Sequence, residues 1–115
     1  MPSSSSANSG VAGRYASALF ELAEEKKKLD GVAADTAAIR ELLSESADLR
    51  RLVASPVIAR EDQGKAIADV LDKAGVSAIT QNFVGVVARN RRLFALDDMC
   101  TAFRDTLAER RGEIT

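Results

Sequence analysis

The sequence of 115 residues contains no histidine, no tryptophan and only one cysteine, Cys100. Without histidine, the chain lacks the commonest general base and metal ligand. One cysteine cannot form a disulfide within the chain or a cysteine-cluster metal site, which suits a reducing compartment. The glycine-rich phosphate-binding motifs GxGxxG and GxxxxGK[ST] are missing as well. We therefore expect no metal site and no cofactor, and we expect Cys100 to be a core or half-buried residue of the last helix.

Neither sign of charge dominates the chain, and no long apolar run is present. Sixteen basic residues stand against seventeen acidic ones, whereas a nucleic-acid-binding protein needs a basic surface. No run of about eighteen apolar residues occurs, so we expect no insertion into a membrane. The first ten residues, MPSSSSANSG, lack both the features of a secretory signal and the arginines of a mitochondrial presequence. We expect residues 1–10 to form a flexible, Ser-rich tail.

Apolar residues recur at helical spacing along most of the remaining chain. The first predicted helix covers residues 11–27, and lysines 26–28 at its end complement the helix dipole. One of its faces carries Val11, Tyr15, Ala18, Leu19 and Leu22. The five further predicted helices cover residues 32–45, 47–55, 60–74, 77–90 and 96–111. Because the connecting loops are short, sequential helices must pack as neighbours. The sequence therefore predicts an all-α fold, a compact six-helix bundle over residues 11–112.

Capping and helix-breaking residues set the ends of these predicted helices. The predicted N-caps are Ser9 for the first helix, Asp30 for the second and Ser77 for the fifth. Pro56 ends the third helix because the residue before a proline is pushed out of the helical region. The glycines at positions 75 and 112 end the fourth and sixth helices.

The fifth predicted helix contains an almost continuous apolar segment, residues 83–88 (FVGVVA). A valine-rich segment of this length also fits a strand. Helical patterns on both sides and the absence of a second candidate strand favour a helix. Since such a helix needs cover on most sides, we expect it to be the central element of the bundle.

No group of polar residues has the arrangement that catalysis needs. Glu61 and Asp62 are neighbours, as are Asp97 and Asp98, and neighbouring side chains on a helix point about 100° apart. Acids at these positions are typical of the first turn of a helix. We therefore expect no catalytic residues, although a small enzyme or ligand-binding bundle remains an alternative.

The one basic concentration consists of Arg89, Arg91 and Arg92, beside Asn90. Arginines are common at the C-terminal end of a helix, where they oppose the helix dipole. A phosphate or nucleic-acid site is the alternative hypothesis for this cluster, and the nearly neutral net charge argues against it.

Two helices carry more apolar surface than one buried face needs. Beside the row formed by Val11, Tyr15, Ala18 and Leu22, the first helix has a second row of Ala12, Ala16, Leu19, Phe20 and Ala23. The fifth helix can fill the core with Phe83, Val84 and Val87 while Asn82, Val86 and Asn90 form a separate row. Two such helices can form a groove for a helix of another protein. The alternative is that the two rows pack against each other.

The same residues resemble the N-terminal domain of the delta subunit family of F-type ATP synthases, which includes the mitochondrial oligomycin-sensitivity-conferring protein. The matching segments, in order, are residues 13–23 (GRYASALFELA), 52–58 (LVASPVI), 81–83 (QNF) and 90–93 (NRRL). The resemblance covers residues 11–115, nearly the whole chain. It departs mildly at Arg14, where many relatives have proline, and at Gln63-Gly64, which lowers helix propensity in the fourth helix.

The resemblance implies a non-catalytic stator component that links the catalytic head to the peripheral stalk. In that family a six-helix domain on top of the head binds the N-terminal helix of an alpha subunit between its first and fifth helices. Carried over to this sequence, the groove residues are Val11, Tyr15, Ala18, Leu22, Asn82, Val86 and Asn90.

The resemblance also implies a wider organisation. The membrane-anchored b subunits of the stalk would be reached only through a C-terminal domain that is absent here, with residues 113–115 as the start of the connection. We expect no nucleic acid as a partner and a monomer in isolation. The expected location is peripheral, at the cytoplasmic face of a bacterial inner membrane, or alternatively at the matrix side of the mitochondrial inner membrane.

Overall fold

The computed structural model describes residues 10–112, and within that range the chain forms six α-helices and no β-strand. The helices are α1 (Gly10–Glu25), α2 (Leu29–Glu45), α3 (Ala47–Ala54), α4 (Arg60–Lys73), α5 (Ala78–Arg89) and α6 (Leu96–Arg110). A short 3-10 turn, Leu93–Ala95, precedes α6. The predicted all-α class and the six helices are confirmed. Residues 1–9, including the predicted cap Ser9, and residues 113–115 lie outside the described residues.

The connection between α1 and α2 is shorter than the sequence predicted. Lys27 has a φ of 57° and ends α1 in the left-handed conformation, with the Lys28 N–H donating to the carbonyl of Ala23 at 2.8 Å. The next helix begins at Leu29, so the prediction of Asp30 as its N-cap is wrong. Asp30 instead lies in the first turn of α2, where a carboxylate is favourable because it faces the positive end of the helix dipole.

At the other helix ends, the prediction for Gly75 is confirmed, Ser46 is a cap that was not predicted, and Ser77 keeps its position without making the expected bond. The Ser46 hydroxyl accepts a hydrogen bond from the Leu49 N–H at 3.0 Å and caps α3. Gly75 follows α4 with a φ of 78°. Ser77 occupies the N-cap position of α5, but its side chain makes no capping bond to its own helix. The Ser77 hydroxyl and N–H both donate instead to Asp35 of α2.

The most fully enclosed helix is α6, which packs against both α1 and α2. Its buried residues are Leu96, Met99, Cys100, Ala102, Phe103 and Leu107. The rings of Phe103 and Phe20 of α1 lie 5.3 Å apart, centroid to centroid, in the part of the core between these helices. Cys100 is buried in α6, as expected for a core residue.

The prediction that α5 is the central, widely covered helix is wrong. It packs mainly against α4 and more lightly against α1 and α2. Val84 and Val87 are buried, whereas the Val86 side chain remains 40% exposed. The apolar segment therefore serves two surfaces, one in the core and one on the outside of the bundle.

The two apolar rows of α1 also have different environments. The row formed by Ala12, Ala16, Leu19, Phe20 and Ala23 is buried against the core. In the other row Ala18 and Leu22 are exposed, and Val11 and Tyr15 are half-buried. One face of α1 thus packs in the core, and the other face is partly exposed to solvent.

Candidate functional site

An open apolar groove of about 590 Å³ runs between α1 and α5. We call it the α1–α5 groove, and its lining residues are Tyr15, Ala18, Leu19, Leu22, Lys26, Ala78, Ile79, Asn82, Phe83 and Val86. Five of the seven predicted binding residues are among them: Tyr15, Ala18, Leu22, Asn82 and Val86.

Small side chains keep the groove open, and larger ones form its floor. Ala18 and Ala78 project little from their helices, so they leave space between α1 and α5. Below them, Leu19 is buried and Phe83 is half-buried against both parts of the core. The Phe83 ring lies edge-on to the Tyr15 ring, with 6.3 Å between the centroids, a favourable aromatic geometry. The floor is therefore fixed by the same packing that holds the bundle.

The groove also exposes apolar surface to solvent. Leu22 is 38% exposed and Val86 is 40% exposed, one on each wall. They are two of the four large hydrophobic residues that are exposed within residues 10–112; the others are Val57 and Phe94. An exposed apolar patch on a small domain commonly marks a site for a partner.

The structure places the remaining two predicted residues differently. Val11 is half-buried against the larger part of the core and does not line the groove. The Asn90 amide donates to the Tyr15 hydroxyl at 2.8 Å, so it joins the start of α1 to the end of α5. Asn90 therefore helps to position Tyr15 rather than lining the groove itself.

Sequence reasoning missed five lining residues: Leu19, Lys26, Ala78, Ile79 and Phe83. Ala78 stands four residues before Asn82, so extending the 82–86–90 row backwards would have found it. Phe83 was assigned to the core and Leu19 to the second apolar row of the first helix, and in the structure both belong to the core and to the floor of the groove. Nothing in the sequence marked Lys26 as a groove residue.

The groove is suited to binding rather than to reaction chemistry. Lys26 and Tyr15 are its only ionisable lining residues, and no carboxylate faces either of them from the groove lining. Elsewhere within residues 10–112, no group of three or more potential metal ligands is placed to hold an ion. None of the helices in this described part combines the length and apolar character needed to cross a bilayer.

The arginine cluster does not converge on a common site. One guanidinium nitrogen of Arg91 donates to the Ile58 carbonyl at 2.8 Å and to the Gln63 side-chain oxygen at 3.3 Å. Arg89 and Arg92 are exposed. Because Arg91 is committed to the protein's own backbone, the cluster lacks the three free cations that the phosphate-site hypothesis required.

Comparison with known proteins gives one consistent family. The family model for the ATP synthase delta (OSCP) subunit matches residues 11–115. The ATP synthase subunit delta of Parvibaculum lavamentivorans is 57% identical over 107 residues, which are 93% of this chain and 55% of that protein. The corresponding subunit of Rhizobium johnstonii is 58% identical, covering 93% of this chain and 57% of its own length. The chain thus spans a little over half the length of these curated relatives.

A solved structure with the same fold extends the comparison. A chain in the cryo-EM structure of Polytomella F-ATP synthase, rotary substate 2C, superposes with a TM-score of 0.77 at 28% identity. The match covers 89% of this chain and 90% of that chain. That structure comes from a focused refinement of the F1 head and rotor.

Proposed function

Because the chain belongs to the ATP synthase delta (OSCP) subunit family, we propose that it binds the N-terminal helix of an alpha subunit in the α1–α5 groove. The delta (OSCP) subunit is a structural, non-catalytic part of the enzyme. In this role the chain is the head-binding part of a stator component, the subunit that links the catalytic head to the peripheral stalk and holds the head still while the rotor turns.

The observation that carries the proposal is the pair of partly exposed apolar residues, Leu22 of α1 and Val86 of α5, that line an open groove. An amphipathic helix buries residues at spacings of three and four, and these fit a trough between two helices. The polar face of the bound helix would remain in water. Such a contact buries about 1,200–1,600 Å² in total, the usual size of a specific interface.

The comparisons support the head as the partner. The superposed chain of similar fold occurs in a structure of the F1 head and rotor of Polytomella F-ATP synthase. In the whole subunit, contact with the b subunits of the stalk would belong to the part of the relatives' length beyond this match. The corresponding location is peripheral, at the cytoplasmic face of a bacterial inner membrane, or at the matrix side in a mitochondrion.

Substitution of Ala18 by aspartate tests the groove directly. Ala18→Asp places a carboxylate beneath the bound helix, where it loses water and gains no partner, so binding should weaken by about 2–4 kcal/mol. The measurement is calorimetric titration with a synthetic peptide of the alpha-subunit N-terminus. Circular dichroism of the variant checks that the fold is intact.

Ser17→Asp is the matched control, since Ser17 is exposed on the same helix and does not line the groove. It introduces the same charge one position away and should leave the affinity unchanged. A folded Ala18→Asp variant that binds the peptide as tightly as the parent chain would overturn the proposal.

A further inference from the structure

A second groove lies between α4 and α5, and no residue lines both grooves. Its volume is about 480 Å³, comparable to that of the first. Its floor consists of small residues: Gly64 and Ala68 of α4, and Gly85 and Ala88 of α5. We call it the α4–α5 groove.

Each of the two glycines of this floor lowers the stability of its helix, although packing within the chain does not require glycine at either position. Glycine inside a helix is less favourable than alanine by about 0.5–1 kcal/mol. Neither Gly64 nor Gly85 has a positive φ. A Cβ added at Gly64 would lie 3.6 Å from the Cβ of Ala88, and one added at Gly85 would lie 3.8 Å from an Arg89 nitrogen. Both are ordinary contacts, so alanine fits at each position.

A side chain at either glycine position would instead project into the groove and obstruct it. Glycine permits the backbone of another element to come close, which is a usual reason for glycine at a contact surface. Gly64 on α4 and Gly85 on α5 leave two positions of the floor without side chains, so a helix can approach the floor closely there. The position of the glycines therefore indicates an occupant from outside the chain.

Charge indicates the chemistry of that occupant. The rim of the groove carries Arg60, Lys65 and Arg89 against one acid, Glu61. Its local balance is three positive charges minus one negative charge, or +2, on a chain whose net charge is −1. None of the five ion pairs within residues 10–112 involves these three cations. A ligand with carboxylates on its flanks would complement this rim.

We propose that the α4–α5 groove docks an acidic amphipathic helix of a partner polypeptide. Its apolar stripe lies over Gly64 and Gly85, and its glutamates or aspartates face Lys65 and Arg89. This contact goes beyond the proposed function, because it uses a different surface and needs no occupant in the α1–α5 groove. Its charge requirement distinguishes it from the first groove, whose lining carries only one charged residue, Lys26.

The test uses two synthetic helical peptides and the 115-residue chain. One peptide has an alanine–leucine stripe flanked by glutamates, and its counterpart has lysine in place of every glutamate. In a titration followed by amide NMR, the acidic peptide should shift the resonances of Gly64 and Gly85, and its Kd should rise with salt. Equal binding by the lysine peptide, or shifts confined to the α1–α5 groove, would overturn the proposal.

A substitution in the floor of the groove, compared with a control elsewhere, separates an effect on docking from an effect on folding. Gly64→Leu fills the groove and should weaken binding of the acidic peptide by about tenfold or more. Gly31→Leu is the matched control, because Gly31 lies within α2, is exposed and faces open space. If Gly64→Leu folds normally and binds undiminished, the occupant does not lie on this floor.

A charge-reversal variant tests which peptide the groove prefers without altering the packing of its floor. The double variant Lys65→Glu, Arg89→Glu alters two exposed side chains on the rim. It should bind the lysine peptide in preference to the acidic one, because the sign of the local charge is reversed. A double variant that still prefers the acidic peptide would contradict the proposal.

Discussion

At the scale of single residues, Asp35 makes the most concentrated set of polar contacts in the core. It is 8% exposed, and one of its carboxylate oxygens accepts from the Ser77 hydroxyl at 2.5 Å and the Thr80 hydroxyl at 2.7 Å. The Ser77 N–H donates to the same oxygen at 3.3 Å. A carboxylate of α2 thus caps the N-terminus of α5, where the helix dipole favours negative charge.

Removing this carboxylate should cost substantial stability. Asp35→Ala leaves the buried Thr80 hydroxyl and the Ser77 N–H without their acceptor, so the free energy of unfolding should fall by about 2–3 kcal/mol. Urea denaturation measures the change. Glu41→Ala removes an exposed acid from the same helix and should change stability by less than about 0.5 kcal/mol. Equal stabilities for the two variants would show that the cap contributes nothing.

Cys100 is the other residue whose environment alters its chemistry. Burial raises the pKa of the Cys100 thiol to about 12, and the carboxylate of Asp97 adds to this effect. The positive charges of Arg40 and Arg104 oppose it. The thiol is therefore neutral over the whole physiological range, and it lacks the thiolate that thiol reagents attack.

The raised pKa makes stability depend on pH in a defined window. The folded state holds the thiol proton more tightly than the unfolded state, whose pKa is about 9.0. The resulting stability is complete below about pH 9 and is lost as the pH rises towards 12. The stability advantage of the parent over Cys100→Ala should therefore shrink by roughly 2 kcal/mol between about pH 8 and pH 11. A stability difference between the parent and Cys100→Ala that stays constant across this pH range would contradict a raised pKa of the Cys100 thiol in the folded state.

At the scale of elements, the α3–α4 connection is held by side chains rather than by its own backbone. Arg91, just after α5, donates to the Ile58 carbonyl at 2.8 Å and to the Pro56 carbonyl at 3.2 Å. Gln63 is 3% exposed, and its amide donates to the Leu52 carbonyl at 2.8 Å. Arg91, one of the arginines considered as phosphate ligands, thus links the segment after α5 to the α3–α4 connection.

The fork geometry of the guanidinium explains why arginine is needed there. Lysine keeps the charge but cannot serve two carbonyls with one planar group, so Arg91→Lys should destabilise the fold by about 1–2 kcal/mol. Arg92→Lys, the same change at the adjacent exposed position, should have an effect of less than about 0.5 kcal/mol. The measurement is chemical denaturation of both variants, and indistinguishable midpoints would argue against the fastening role.

Helix boundaries show what local signals can predict. Gly75 acts as expected because a left-handed glycine at a helix end depends only on its immediate neighbours. The Ser46 cap is equally local, although it was not among the predicted caps. Asp30 was misassigned since an acid is favourable both as an N-cap and in a first turn. The capping of α5 by Asp35 was not predictable, because the donor and acceptor are 42 residues apart.

At the scale of the whole molecule, the candidate site was predictable in outline because both walls follow helical periodicity. Tyr15, Ala18 and Leu22 form one row on α1, and Asn82 and Val86 form another on α5. Which row of α1 faces the core depends on α6, and no local pattern records that choice. The hydrogen bond between Asn90 and Tyr15 joins residues 75 positions apart. The sequence pattern therefore could not predict that Asn90 holds Tyr15 instead of lining the groove.

The exposed groove also makes the stability of the whole domain depend on its partner. A ligand that binds only the folded state adds about 2.7 kcal/mol at a hundred times its Kd. For a domain of about 100 residues, each 1 kcal/mol raises the Tm by about 4–8 °C. Saturating alpha-subunit N-terminal peptide should therefore raise the Tm of this chain by about 10–20 °C in a thermal scan.

Three comparisons make this thermal shift specific to the α1–α5 groove. A scrambled peptide of the same composition keeps the charge but lacks a continuous apolar face, so it should leave the Tm unchanged. Ala18→Asp should lose most of the shift, because its carboxylate lies beneath the bound helix, whereas Ser17→Asp should retain it. If the parent Tm does not move at saturating peptide, the exposed faces of Leu22 and Val86 are not the binding surface for that helix.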